Sequence, residues 1–444
     1  MTKKKALGLG MAALLAGWAV SASAETAPEI GGTSIEHPHS QQIAGSVPVV
    51  SLGGQYRINA YTLNDDDGAG DIAAARVRFR QNIDLKFSER FSTHIQLNIG
   101  HINEGIGNHN LNQDSDASVG LRHAIMNYKF SDAALLKAGL VPISDKFGDT
   151  LFSSDWDFNP VAVELDGKVD ALDYRLAWMK IQENGETDEN VAGADTDNDM
   201  DAYLLDLGTN AGFANVGVMG LVIRTPENGL GVASDGYETN SWIGVRADGK
   251  AADINWHLSV VNSNVDKSVF GNADDSTGLQ LLAKVDGKAD KIGWGLLGLY
   301  TTGSDDGEDS FFSPQTFYGG QGYWGKTGIL NIQGPTDTGM DANMLRTDNG
   351  GLGLTTIQAS LAAPLADNLS GYLGLGWYRA NEENANDEDE IGTDVYAQVK
   401  YAFPNSPLAL EVGFDVANLG KAAQNSNNDD RTASAVFARL QAEF

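Results

Sequence analysis

Val436-Phe437-Ala438-Arg439-Leu440-Gln441-Ala442-Glu443-Phe444 closes the chain, and the parity of this stretch decides how the rest is read. Val436, Ala438, Leu440, Ala442 and Phe444 share one side of a two-residue repeat, and Arg439, Gln441 and Glu443 share the other. That is the period of a β-strand with one oily face and one wet face. Working back from the end, the same alternation recurs. Val395, Ala397, Val399 and Tyr401 alternate with Asp394, Tyr396, Gln398 and Lys400, and Leu410, Val412, Phe414 and Val416 with Glu411, Gly413 and Asp415. In the strand with the most charge, Arg76, Arg78, Arg80, Asn82, Asp84 and Lys86 alternate with Val77, Phe79, Gln81, Ile83 and Leu85.

Eighteen such segments are read along the chain, the first over 55–64 and the last over 432–444. Their connections alternate in length. Ser131-Asp132, Lys168-Val169-Asp170, Asp248-Gly249-Lys250, Asp286-Gly287-Lys288 and Pro404-Asn405-Ser406 are predicted tight turns, because Asn and Asp-Gly supply positive φ and Pro sets a corner. The other links are long and acidic, among them 183–199, 303–351 and 382–390. Short turns on one rim and long loops on the other describe an all-β transmembrane antiparallel barrel, with the turns periplasmic and the loops extracellular. A soluble sandwich with one wet face has similar strands. Aromatic residues near strand ends favour the barrel: Phe87, Phe91, Phe130, Trp178, Phe213, Trp242, Trp256, Trp294, Tyr401 and Phe403 suit interfacial girdles. Segments 117–130 and 289–302 alternate less cleanly, and a bulge or a buried contact between protomers is expected there.

Residues 1–24 read as a secretory signal: Lys3, Lys4 and Lys5, an apolar run from Leu7 to Val20, and Ala22-Ser23-Ala24. The run is shorter than the ~20 residues that span a bilayer as a helix. The expected mature chain starts at Glu25. Residues 25–54 form a periplasmic or lumen-lying segment, and 55–444 form the barrel. The chain contains no Cys, which excludes disulfides, thiolate metal sites and a Cys nucleophile. Formal net charge is −30, or −33 once Lys3, Lys4 and Lys5 are removed, so nucleic acid is not an expected partner.

The candidate pore lining is a basic ladder, Arg57, Arg76, Arg78, Arg80 and Lys86. Arg439 joins it if the last strand pairs with the first. Acidic inward positions lie elsewhere on the wall: Glu164, Asp166, Asp206, Asp286, Asp394, Glu411 and Asp415. Opposite charges on facing walls would set a transverse field across the water, or pair with one another and keep the lumen wet. The longest link, 303–351, carries Phe312, Phe317, Tyr318, Tyr323 and Trp324 among glycines. It is a candidate constriction loop if it folds inward, and a surface contact if it projects.

Within that link, 320–327 has phosphate-loop spacing but neither the preceding strand nor the following helix. Asp195-Thr196-Asp197-Asn198-Asp199 opens like a calcium loop, then places Met200 where the geometry needs Gly and Asp206 where it needs Glu. No metal site or organic cofactor is expected. Divalent cations held loosely at the acidic loops would bridge to lipopolysaccharide phosphates. No G-x-S-x-G or His-Glu-x-x-His pattern appears, so no enzyme is expected.

Arg76-Val77-Arg78-Phe79-Arg80-Gln81-Asn82-Ile83-Asp84, Leu136-Lys137-Ala138-Gly139 and the terminal Arg439 to Phe444 resemble strands of the eighteen-stranded major-outer-membrane-porin and OprD-like group. The resemblance implies a homotrimer, a water-filled channel in each protomer and an arginine ladder that guides solutes. In that group the constriction loop usually follows an early strand, whereas the longest link here comes late. The expected function is passive diffusion of small hydrophilic solutes and ions across the outer membrane of a Gram-negative cell, with weak cation preference from the acidic mouth. A substrate-specific oligosaccharide, carboxylate or polymer-export channel is one alternative. A non-conducting barrel serving as adhesin or partner sheath is another.

Overall fold

The computed structural model describes residues 48–65, 72–99, 119–156, 158–182, 199–226, 237–266, 275–304, 308–318, 322–334, 344–423 and 430–444. The expected signal 1–24, residues 25–47, the calcium-like run 195–198 and the start of the phosphate-loop spacing at Gly320 lie outside the described residues.

Among the described residues are eighteen strands: β1 Val49–Asp65, β2 Ile72–Lys86, β3 Phe91–Ile99, β4 Val119–Ser131, β5 Ala134–Leu140, β6 Val161–Val169, β7 Leu172–Gln182, β8 Met200–Asn210 and β9 Asn215–Pro226, then β10 Tyr237–Ala251, β11 Ile254–Asp266, β12 Asp275–Ala289, β13 Ile292–Thr301, β14 Leu354–Ala366, β15 Leu369–Arg379, β16 Glu390–Ala402, β17 Leu408–Leu419 and β18 Arg431–Glu443. Each strand pairs antiparallel with its sequence neighbours, and β1 also pairs with β18 from Gln55↔Glu443 to Asp65↔Ala433. The sheet therefore closes on itself, which removes both edges. β1 takes in Val49–Gly54, which the parity reading had assigned to the preceding segment.

The alternation sorts the side chains as expected of a membrane barrel. Val245, Leu258, Leu361, Val412 and Val436 point outward and are 45–59% exposed, a burial pattern opposite to that of a soluble core. The closing Phe444 stacks on Phe79 at 6.1 Å.

Two of the predicted turns are displaced. Asp248-Gly249-Lys250 lies inside β10 and Asp286-Gly287-Lys288 inside β12. The reversals instead fall after Ala251 and Ala289, with positive φ at Ala252 (53°) and Asp290 (56°). The glycines serve a different purpose. Gly249 sits opposite Trp256 and Gly287 opposite Trp294. A Cβ on either would lie 2.7 or 2.6 Å from the facing indole. Each glycine is thus the floor on which a girdle tryptophan of the next strand lies, an aromatic cover for a strand glycine. Asn405 does occupy its predicted turn, with φ 55°.

Of the two strands with blurred alternation, β4 is bulged. Gln96 pairs with His123 but Leu97 with Leu121, leaving Arg122 as the extra residue. In β13 no bulge is needed: inward Leu297 and Leu299 are 2% exposed and pack under a loop that enters the barrel.

Candidate pore lining and inward loops

Among the described residues, two connections fold into the barrel. The first, 141–160 between β5 and β6, replaces the end of the segment read as strand 133–147. Pro142 breaks the ladder, since it has no N–H to donate. Val141, Ile143, Phe147, Leu151 and Phe152 are then 0–1% exposed against the inner faces of Met179, Leu204 and Leu221. Asp145 organises this loop. Its Oδ1 accepts the backbone N–H of Phe147 (2.6 Å) and Asp149 (3.0 Å), and its Oδ2 those of Leu151 (2.8 Å) and Phe152 (3.0 Å). Burial pushes the Asp145 carboxyl up, and the four amides pull it back. Asp149 is pushed up to about 6, first by burial and then by the Asp145 charge, with Lys284 opposing.

The second is the long link between β13 and β14. Its short helix α1, Gln315–Tyr318, places Phe317 edge-on to Trp242 at 5.5 Å and Tyr318 against Phe158 at 4.6 Å. The Tyr318 hydroxyl donates to the Leu151 carbonyl (3.0 Å), so the two inward loops hold each other. Phe312 packs on the same cluster, and its carbonyl accepts from Trp242 Nε1 (2.7 Å). Trp242 is therefore an inner-wall residue, fully buried, and not the girdle residue expected. Its shared parity with Arg246 was the available signal. Tyr323 is buried deeper, where its hydroxyl accepts from Gln358 (3.2 Å), and Trp324 bridges to Ile332. Lys326, from the phosphate-loop spacing, is engaged by Asp286 (2.8 Å).

The basic ladder assembles on three adjacent strands. Arg57 faces Arg78 across β1 and β2, Asn59 lies between Arg76 and Arg439, and Gln55 faces Arg80. Arg57, Arg76, Arg78 and Arg439 are only 6–9% exposed. Arg57 donates to Gln441 (2.7 Å), Arg78 to Gln55 (2.5 Å) and Arg80 to Asn98 (3.4 Å), while Arg76 lies over the Tyr61 ring. Arg439 engages Glu411 and also donates to the Gly334 carbonyl (3.2 Å). Lys86 has the same parity but sits at the turn rim, half exposed and ion-paired to Glu89 (2.8 Å).

A division into a basic wall and an acidic wall does not hold for most of the acids, because cations that the sequence reading did not single out neutralise them locally. Lys137 takes Glu164 (2.7 Å) and Asp166 (2.5 Å). Arg246, Arg175 and Lys146 surround Asp206 at 3.2, 3.5 and 3.5 Å. Lys400 joins Arg439 on Glu411 (3.1 Å). Asp394 and Asp415 are buried beneath the second loop. The bulge turns Arg122 inward, where it donates to Gln96 (2.8 Å) and to the Ser154 carbonyl of the first loop (2.5 Å). Among the described residues, then, the loops pack on or bond to β4, β7 to β16 and β18, and the basic ladder is concentrated on β1 and β2.

A closed eighteen-stranded antiparallel barrel with an oily outer face, inward loops and an arginine-rich inner sector has the architecture of a transmembrane β-barrel. The particular fold is that of the OprD/Occ porins. Pseudomonas aeruginosa OccK9 (OpdG) matches with a TM-score of 0.55 at 12% identity, covering 89% of this chain and 98% of that one. P. aeruginosa OpdK, solved with vanillate, matches at 0.53 and 10% identity over 88% of this chain and 99% of its own. Acinetobacter baumannii OccAB4 matches at 0.52 and 12% identity over 88% and 98%. At such identities the likeness establishes the fold. No protein-family model and no curated protein matches the sequence.

Proposed function

We propose that this protein is an outer-membrane channel through which small hydrophilic solutes and ions diffuse passively. The supporting observation is the asymmetry of the inner wall. Apolar inward loops pack over most of the wall, and the guanidinium groups of Arg57, Arg76, Arg78 and Arg80 are gathered on β1 and β2, with Arg439 of β18 reaching the second loop. A hydrated path bounded by fixed charges admits polar solutes and slows apolar ones. The acidic total of −30 concentrates cations near the mouth, which gives a weak overall cation preference.

A second reading, a carboxylate-selective channel, is favoured by the ladder, because guanidinium groups offer paired donors to a carboxylate. The relative solved with vanillate adds analogy to it. Purified full-length protein in planar bilayers under a KCl gradient separates the two. A cation-directed reversal potential that becomes larger in Arg78→Ala supports general diffusion. Anion preference with saturable block by benzoate, lost in Arg78→Ala, supports the second reading. Absence of conductance steps sinks both.

A further inference from the structure

We propose that Asp394 and Asp415 form a site for a hard divalent cation, calcium being the natural probe, that braces the second inward loop against the wall. The two carboxylates project inward from neighbouring strands one pleat apart, since Asp394 pairs with Ala417 and Asp415 with Tyr396. Both are 0% exposed. Asp394 Oδ2 is satisfied by the backbone N–H groups of Ile329 (3.1 Å) and Leu330 (2.9 Å). By strict hydrogen-bond geometry Asp394 Oδ1 and both oxygens of Asp415 are unpartnered; Asp415 lies beside Asp394 and near the Gly328 and Val416 amides, and among the described residues no Lys, Arg or His pairs with either group. Such charges are costly to bury without a counterion.

What surrounds the bare oxygens is itself oxygen-rich. Thr327 faces Asp394, and its hydroxyl lies 2.6 Å from that of Tyr378. Asn331 donates to both hydroxyls, leaving their lone pairs and protons to turn toward the carboxylates. A proton shared by the pair would satisfy two of the three bare oxygens. A divalent cation engages all three and neutralises both charges. Carboxylate and hydroxyl ligands without nitrogen or sulfur suit calcium rather than a transition metal. The site differs from loose binding at acidic loops because its ligands come from two strands and from the residues that hold the loop down.

The test uses the folded full chain, stripped with chelator and titrated with calcium, while terbium luminescence is excited through tyrosine, for which Tyr378 is the nearby donor. Expected is saturable, calcium-displaceable terbium emission with a calcium Kd of about 10⁻³ M or tighter, accompanied by a calcium-dependent rise in Tm. Asp415→Asn and Asp394→Asn should each weaken binding at least ~10-fold, because affinity follows ligand charge. Exposed Glu383→Gln should leave it unchanged. If Asp415→Asn does not fold, Thr327→Val, which removes one ligand and keeps the shape, is read in the same way. A wild type indifferent to calcium overturns the proposal. So does an Asp415→Asn protein that binds as well as wild type, or one that is more stable while the wild type shows no calcium response, the signature of a shared proton.

Discussion

Asp145→Ala should release the first inward loop without opening the barrel. The carboxylate accepts four backbone N–H groups at 2.6–3.0 Å at the centre of the loop. Hydrogen bonds to a charged group contribute about 1.5–3 kcal/mol each. The variant no longer buries a carboxylate, which returns several kcal/mol. A net loss of about 3–5 kcal/mol in loop docking remains, raising the population of the undocked loop roughly 10²–10³-fold at 1.4 kcal/mol per decade. The strands keep their pairings, so the heat-modifiable gel shift of the folded barrel should persist. Lys146, next to the hub and held near Asp206, gives the readout. Trypsin cleavage there tracks the undocked population when docking is fast, and single-channel conductance should rise in parallel. Asp145→Asn keeps one acceptor oxygen and should fall between. Unchanged cleavage and conductance in Asp145→Ala would refute the reasoning, since the loop would then be held by apolar burial and its bonds to the wall and second loop without the Asp145 hub.

Phe317→Ala removes the ring that meets Trp242 edge-on and should weaken docking of the second loop by about 3–5 kcal/mol, seen as larger and noisier conductance. Asp149, with a pKa raised to about 6 in the docked loop against about 3.9 when exposed, favours docking when protonated. Its contribution is therefore complete below about pH 4 and lost as pH rises through 6. Cleavage at Lys146, compared between wild type and Asp149→Asn at pH 5 and 7.5, should diverge with pH, the wild type being relatively looser at 7.5. Gly249→Val, favourable by strand propensity, should instead lower the Tm, because its Cβ would lie 2.7 Å from the Trp256 ring. An unchanged or raised Tm would contradict the cover role assigned to Gly249.

The strands were legible because a wall between lipid and lumen forces a two-residue period, and both Arg76 to Lys86 and Val436 to Phe444 display it. The inward path of 141–160 was less so. Val141 and Ile143 fall on the parity of Lys137, the wet face of β5, so apolar residues at wet positions, together with Pro142, mark the break. The glycines of β10 and β12 resembled turn residues because Asp-Gly has the same local chemistry in a turn and beneath an indole. Among the cations that neutralise the acids, Arg175 and Arg246 lay in no motif, and Lys137 lay in the Leu136–Gly139 stretch without any sign of its partners. What selects them is proximity across strands.

Taken alone, the sequence determined a closed β-barrel with a basic stripe on its first, second and last strands, because parity and chain order are local properties that pairing preserves. Only the tertiary structure decided which loops enter the lumen, which charges cancel, and where two carboxylates meet without a partner. The loop paths depend on contacts between residues more than 100 positions apart, such as Tyr318 with Leu151 and Lys284 with Gly148, and the charge pairs depend on the register between neighbouring strands. No local period encodes such pairings, since closing the cylinder is what brings the residues together.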